Sequence, residues 1–465
     1  MSNDGRFYDL LDRDQVPLYG ESLRQAVAGE AEVLALDAAV ERLDFAALEA
    51  QYPRVGPPGY PPQVLFKVLV YGYALGVRAS RDLERACRLD LAFRFLAHGL
   101  VPDHATLCRF RRRHFAALTE LFAQTVRLCQ EAGLVSLGHV AVDGTKVRAN
   151  RRASSLAHAE QAFAQALQEA ERADGPDIEP TRAAEAEECR FMKMPEGIKP
   201  AYNAQLAVDA AHQVIVAQAV ITAPVDQGQL PAILAQVEAN CKAAPEALSA
   251  DGGYYTGATV ETVEAKTAVH LPLPPSGAAQ LEWREAEGAF RCAGGKLLRP
   301  YRVREGKQIY RTHRCGKCPR ARECGVKGRF KEVHVPLPDS PQGRLVRRMA
   351  SAQGQALYAA RQTIVEPVFG WFKQGRGFRR FLLRGCRGAG AEWSLLCIGH
   401  NLARWAKAAL GPPPAATPPA AVAGRGGLTG ALALAAASRH RLLLFSTRFR
   451  VFPGAPLAEP ASSTA

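Results

Sequence analysis

Three carboxylates stand apart by their surroundings. Asp143 ends the apolar, β-branched run of HVAVDGTKVRA, Asp251 precedes two glycines in EALSADGGYYT, and Glu366 is the single acid of YAARQTIVEPVFGWFKQGRGFRRFLLRG, residues 358–385. A carboxylate on a buried strand costs free energy unless it is paired or binds a metal. A few such carboxylates can hold two divalent cations, which activate an attacking oxygen and stabilise a leaving one in phosphodiester chemistry. An all-oxygen ligand set suits Mg²⁺ or Mn²⁺, and no histidine cluster argues for zinc in its place. Asp-Gly is also an ordinary turn signal, so Asp251 reads as a turn residue as readily as a ligand.

Around Glu366 the chain sets Tyr358, Arg361, Lys373, Arg376, Arg379, Arg380 and Arg384, with Phe369, Trp371, Phe372, Phe378 and Phe381 between them. A solvated charged helix mixes signs and a core helix lacks the arginines. This pattern suits a carboxylate brought up to a polyanion. A basic surface face with one stray acid reads the same way from this stretch alone. At 3.6 residues per turn, Tyr358, Arg361 or Gln362, Glu366, Phe369 and Lys373 share one broad stripe. Pro367 leaves two options, because proline disfavours helix in the residue before it: a helix begins there with Glu366 at its cap, or a longer helix kinks. Trp371 reads as a core aromatic in preference to a platform for a flipped base.

The chain that must position these groups has 465 residues, enough for two to four domains, a hydrophobic fraction of 48%, a net charge of +14 and a pI near 9.4. The charge suits a nucleic-acid partner. No apolar run is long enough to cross a membrane, and the opening MSNDGRFYDLLDRD is no secretory signal, so a cytoplasmic protein is expected. Eleven cysteines, mostly single in apolar segments, read as reduced thiols.

Residues 1–135 carry apolar positions at helical spacing and predict an all-helical domain. Within it, Asp103 caps a helix bearing Arg109, Arg111, Arg112, Arg113 and His114, which fits a helix-turn-helix DNA reader or a capped basic surface helix. From 136 to 408 short strands and helices alternate, an α/β pattern. That region holds two expected insertions: a helical one over 154–199 and a basic one over 277–348. The second contains Cys292, Cys315, Cys318 and Cys324, whose spacing allows a structural zinc site, with His313 as a substitute ligand, or free thiols. The Pro/Ala/Gly-rich tail, 409–465, is expected to lack order.

VDGTKVRANRR, LSADGGYYT and above all YxxRxxxxEPVFGWFK followed by RGFRRFLLRG resemble bacterial insertion-sequence transposases of the DDE class, nearest the insertion-sequence 1182 branch of the Tyr-Arg-Glu-Lys group. The likeness spans roughly Tyr60 to Trp405. It implies an RNase H-like catalytic core, a mixed sheet flanked by helices, behind a helical domain that binds terminal inverted repeats. It further implies that Asp143, Asp251 and Glu366 ligate two Mg²⁺ or Mn²⁺ ions, that Tyr358, Arg361 and Lys373 hold phosphates, and that a homodimer assembles on double-stranded terminal-repeat and target DNA. Arg361 lies one residue further from Glu366 than the general spacing of that signature. The alternatives are a catalytically silent, domesticated or decayed copy acting as a repressor, and a nuclease that cuts without joining.

Overall fold

The structure is a computed structural model that describes residues 8–16, 20–53, 57–152, 189–273, 281–292, 294–313, 315, 318–320 and 329–411. Most of the expected helical insertion, Cys324 and almost all of the tail lie outside the described residues.

Apolar positions at helical spacing give α1 (Ala31–Glu41), α2 (Pro62–Leu75), α3 (Ser80–Leu89), α4 (Leu91–Leu96), α5 (His104–Arg113) and α6 (Phe115–Glu131). Their ends follow local chemistry. Pro62 opens α2, Gly76 closes it at φ 83°, and the Asp90 and Asp103 carboxylates accept the first N–H groups of α4 and α5. Helix α2 is buried nearly all round. Even Lys67 is fully buried there, its ammonium ion-paired to Asp37 at 2.7 Å and to Glu41.

The first sheet comprises β1 (His139–Arg148), β2 (Arg190–Met194), β3 (Gly197–Asp209), β4 (Ile215–Ile221), β5 (Ala247–Ser249) and β6 (Ala268–His270). Central β1 pairs antiparallel with β3 on one side and parallel with β5 on the other, and β6 extends the parallel edge. Long β3 carries β2 along its first half and β4 along its second, on the edge away from β1. The β3–β4 hairpin turns at Asp209, whose buried carboxylate accepts the Leu137 and Ala211 N–H groups at 2.8 and 2.9 Å, as a turn acid should. Parallel strands need crossovers. Helices α7 (Leu230–Cys241) and α8 (Gly257–Glu264) occupy the connections into β5 and β6. Residues 189–199, expected as the end of a helical insertion, instead form β2 and the start of β3.

The basic insertion is a second sheet, an antiparallel meander of β7 (Leu281–Arg284), β8 (Ala289–Cys292), β9 (Leu297–Arg304), β10 (Lys307–Thr312) and β11 (Lys331–Pro336). Trp283, Phe290 and Tyr310 pack edge to face as its small apolar centre.

Helices α9 (Pro341–Ala350) and α10 (Ala352–Gly370) lead into a single π turn, Trp371–Gly375, and then α11 (Cys386–Ala409). Most of α11 is buried, against α6 and α2 on one side and β4 on another, so the N-terminal helices and the first sheet share one hydrophobic core. Among the described residues no helix is long and apolar enough to cross a membrane.

Candidate active site and nucleic-acid interface

Asp143 lies in the middle of β1, opposite Leu206 of β3. The parallel register, His139 with Ala247 and Ala141 with Ser249, carries the chain leaving β5 up to the level of Asp143, where Asp251 follows. The Asp251 carboxylate accepts the Gly253 N–H at 2.8 Å and caps the single 3₁₀ turn Gly252–Tyr254. The turn reading of Asp251 therefore holds, and the turn sets it beside the first acid. Asp143 accepts the Gly144 N–H at 2.8 Å and pairs with the Arg361 guanidinium at 3.0 Å. Burial pushes its carboxyl above the ordinary range and the charge of Asp251 adds to this, while the Gly144 N–H and Arg361 pull the other way. Two residues along, on the same face of the strand, Thr145 accepts a hydrogen bond from the Lys373 ammonium. Burial, and then nearby Arg379, lower the Lys373 pKa, with Asp143 opposing.

Glu366 is not drawn into this group. Helix α10 runs unbroken through Pro367, so the acid sits neither at a cap nor at a helix start. Proline leaves the Thr363 carbonyl without its helical donor, and the Gln213 side-chain amide fills the place at 3.2 Å. The buried face of α10 presents Arg361, Ile364, Val365 and Val368, and Glu366 is exposed. Among the described residues it forms no hydrogen bond or ion pair. Tyr358 stays near Arg361, whose guanidinium lies 5.8 Å from its ring. Asp143, Asp251, Arg361 and Lys373 thus come together, Tyr358 beside them. Asp143 and Asp251 are two carboxylates side by side, and among the described residues no group of three or more His, Cys, Asp or Glu is close enough to hold a metal ion.

A further acid, unmarked by its local sequence, belongs here. Asp226 follows β4, and its Oδ1 accepts the Asn203 and Gln205 side-chain amides of β3, both at 2.6 Å. Gln205 in turn accepts the Tyr254 hydroxyl at 2.9 Å. A Cβ on Gly144 would stand 2.9 Å from Asp226 Oδ1, and one on Gly253 would stand 2.9 Å from Asp251 Oδ1 and 3.5 Å from Asp226 Oδ2. The glycines after each aspartate are the space into which these carboxylates fit. Asp226 lies in the loop between β4 and α7, where no local pattern marks it.

The basic stretch is anchored alongside. Phe381 N–H donates to the Arg148 carbonyl at 2.9 Å, and Asn150 Nδ2 to the Leu382 carbonyl at 2.5 Å, so residues 380–382 run beside the end of β1. Buried Glu392 of α11 accepts the Leu382 N–H at 2.9 Å and the Leu383 N–H, and Arg78 donates to the Arg380 and Gly377 carbonyls at 3.0 and 3.3 Å. With the backbone held, Arg379, Arg380 and Arg384 are exposed, as are Arg148 and Arg152, and Arg376 lies 4.7 Å from the Trp371 ring. Trp371, half-buried at the margin of the core, packs edge to face on Phe372 and His400.

On α5, Arg109, Arg112 and Arg113 are exposed, but Arg111 corrects the expectation of a DNA contact. It is 2% exposed and donates to the Tyr73 hydroxyl and the Arg78 carbonyl, both at 2.9 Å, and to Ser80 at 2.5 Å. Helical geometry turns that position inward, where the guanidinium serves packing.

In the second sheet the Lys296 N–H donates to Cys292 Sγ at 3.3 Å. A Cβ on Gly294 would lie 3.3 Å from Cys318 Sγ and 3.8 Å from Cys292 Sγ. Two of the four expected zinc ligands therefore approach one glycine, and Cys315 is buried nearby in sequence.

Two family models match the chain: residues 21–113 match a family described as a transposase domain, and residues 296–406 match one described as a transposase DDE domain. Comparison with curated proteins gives no match.

Proposed function

From those two matches, which indicate an insertion-sequence DDE transposase, we propose that the chain cuts phosphodiester bonds at the ends of its own element and joins the freed ends to target DNA. The observation that carries this reading is that Asp143 of β1 and Asp251, in the turn just beyond its parallel neighbour β5, stand side by side, next to a basic segment fixed along the end of β1. A central strand between an antiparallel and a parallel neighbour supports an RNase H-like core.

In this reading Asp143 and Asp251 would hold divalent metal, and Glu366 would be the third ligand. Bound there, two Mg²⁺ or Mn²⁺ ions would supply activation of an attacking oxygen and stabilisation of the leaving one. Arg361 exchanges Asp143 for a phosphate, and Lys373, already beside Thr145, holds a second phosphate oxygen on the same face. Asp226 positions the Asp251 turn through Gln205 and Tyr254. Arg376, Arg379, Arg380 and Arg384 supply the salt-dependent grip on the backbone, and Arg109, Arg112 and Arg113 contact the terminal repeat. A dimer joins two ends.

The placement of Arg361 on Asp143, with Glu366 outside, favours a second reading, a silent DNA-binding copy that represses. Metal-dependent cutting of a duplex carrying the inverted repeats that bracket the reading frame separates them. Wild type cuts and Asp251→Ala binds without cutting in the first reading; wild type binds without cutting in the second.

A further inference from the structure

A groove of about 700 Å³ opens on the N-terminal helices, well separated in sequence from the acids. Its walls include Tyr8, Tyr52 and Tyr60, and its rim Arg109, Arg112 and Arg113 of α5. The Tyr52 ring stacks on His114 with centroids 5.7 Å apart, and Tyr60 leans on Tyr8 at 5.1 Å. The Tyr60 hydroxyl donates to the Val101 carbonyl at 3.0 Å, and that of Tyr52 lies 3.4 Å from His114 Nε2. With the hydroxyls engaged by protein, the groove is offered ring surface held in fixed orientation.

The rim has the opposite character. Arg109, Arg112 and Arg113 are exposed, and among the described residues none is ion-paired to a carboxylate. The one acid of the groove, Asp103, is occupied by the Ala105 and Thr106 N–H groups and the Thr106 hydroxyl at 2.6–3.0 Å. Arg109 faces the Asp103 carboxylate and donates to the Thr106 hydroxyl at 3.2 Å, whereas Arg112 and Arg113, with no carboxylate paired to them among the described residues, suit an anion, and aromatic walls suit a flat ring. A nucleotide out of its stack supplies both. A duplex hides its base faces, so recessed tyrosines gain little from it. The volume falls within the range of sites for small ligands.

We propose that this groove binds unpaired DNA nucleotides, stacking bases on Tyr52 and Tyr60 while Arg109, Arg112 and Arg113 hold the adjoining phosphates. It rests on the reading of the chain as a DNA-cutting enzyme only in the choice of DNA; no step of cleavage is involved. Such a site retains a single-stranded or frayed end away from the acids.

The test uses the full chain and anisotropy of a labelled 12-nucleotide oligothymidylate against a blunt duplex of equal length, a probe size chosen at roughly one single-strand site. Tyr52→Ala and Tyr60→Ala each weaken the single-strand Kd about tenfold, the loss of one stacked base, and leave the duplex Kd unchanged. Equal loss for both probes, or no loss for either, overturns the proposal. Should a tyrosine variant fail to fold, wild-type protein is irradiated with an oligonucleotide carrying 5-iododeoxyuridine. Adducts on Tyr8, Tyr52 or Tyr60 support the groove, and adducts confined to the region of Trp371 overturn it. Asp143→Ala retains the single-strand binding, so loss of cutting and loss of this site read separately.

Discussion

Gly144 and Gly253 do their work by having no side chain. Each gives its space to a carboxylate, since a Cβ at either would come within 2.9 Å of an acid oxygen. Gly144→Ala is therefore expected to abolish end cleavage while end binding, read by gel shift, stays at the wild-type level. Asp226→Ala leaves the Asn203 and Gln205 amides without their shared acceptor, at a cost of roughly 1–3 kcal/mol in chemical denaturation. Unchanged stability in that variant would remove Asp226 from the network. Asp143 and Asp251 were legible in the sequence because each ends an apolar run at a glycine. Asp226 was not, because its partners lie on β3, some twenty residues upstream, and pairing across strands leaves no local trace. Arg111 misled for the complementary reason: in a run of three arginines the sequence does not say which one helical rotation turns inward.

Among the elements, α11 ties the most together. Glu392 fixes the basic segment through the Leu382 and Leu383 N–H groups, and His400 donates from Nε2 to the Gln213 carbonyl at 2.8 Å, against Trp371 and Phe372. Glu392→Ala strands the buried Leu383 and half-buried Leu382 N–H donors and should lower stability by roughly 1–3 kcal/mol, together with faster hydrogen exchange at residues 380–384. Burial, with Arg404 adding, holds the His400 pKa down to about 3. A histidine depressed below its unfolded value stabilises the fold above about pH 6.5, and that stability drains away as pH falls toward the folded value. Between pH 7 and pH 5 wild type should lose about 2 kcal/mol more than His400→Gln. An equal loss in both would mean that His400 already carries its proton when folded. The helices and the main strands were readable from periodicity and turn residues. The second sheet was missed because its strands are short and much of β9 is exposed, which blurs the alternation of apolar and polar positions. The continuity of α10 was also hidden, since the donor that rescues the Thr363 carbonyl is Gln213, far away in sequence.

For the molecule as a whole, the net charge of +14 predicts binding that weakens steeply with salt. Replacing Arg379, Arg380 and Arg384 together by alanine should flatten the slope of log Kd against log salt by about 2–3, at about 0.9 for each phosphate no longer neutralised. A slope equal to wild type would place the DNA elsewhere. The helices at the N-terminus and the sheet share a core through α11, so the groove on α5, Asp143 on β1 and Asp251 just past β5 are parts of one compact unit, Met1–Gly411. We propose that Asp143, Asp251 and Glu366 together cut DNA, even though Glu366 is exposed and apart from the other two. The direct measurement is Mg²⁺-dependent cleavage of a labelled duplex carrying the bracketing inverted repeats, by wild type and by Glu366→Gln at matched DNA occupancy. We predict that wild type cuts and that Glu366→Gln, bound equally well, does not; cutting by Glu366→Gln at the wild-type rate would contradict the assignment.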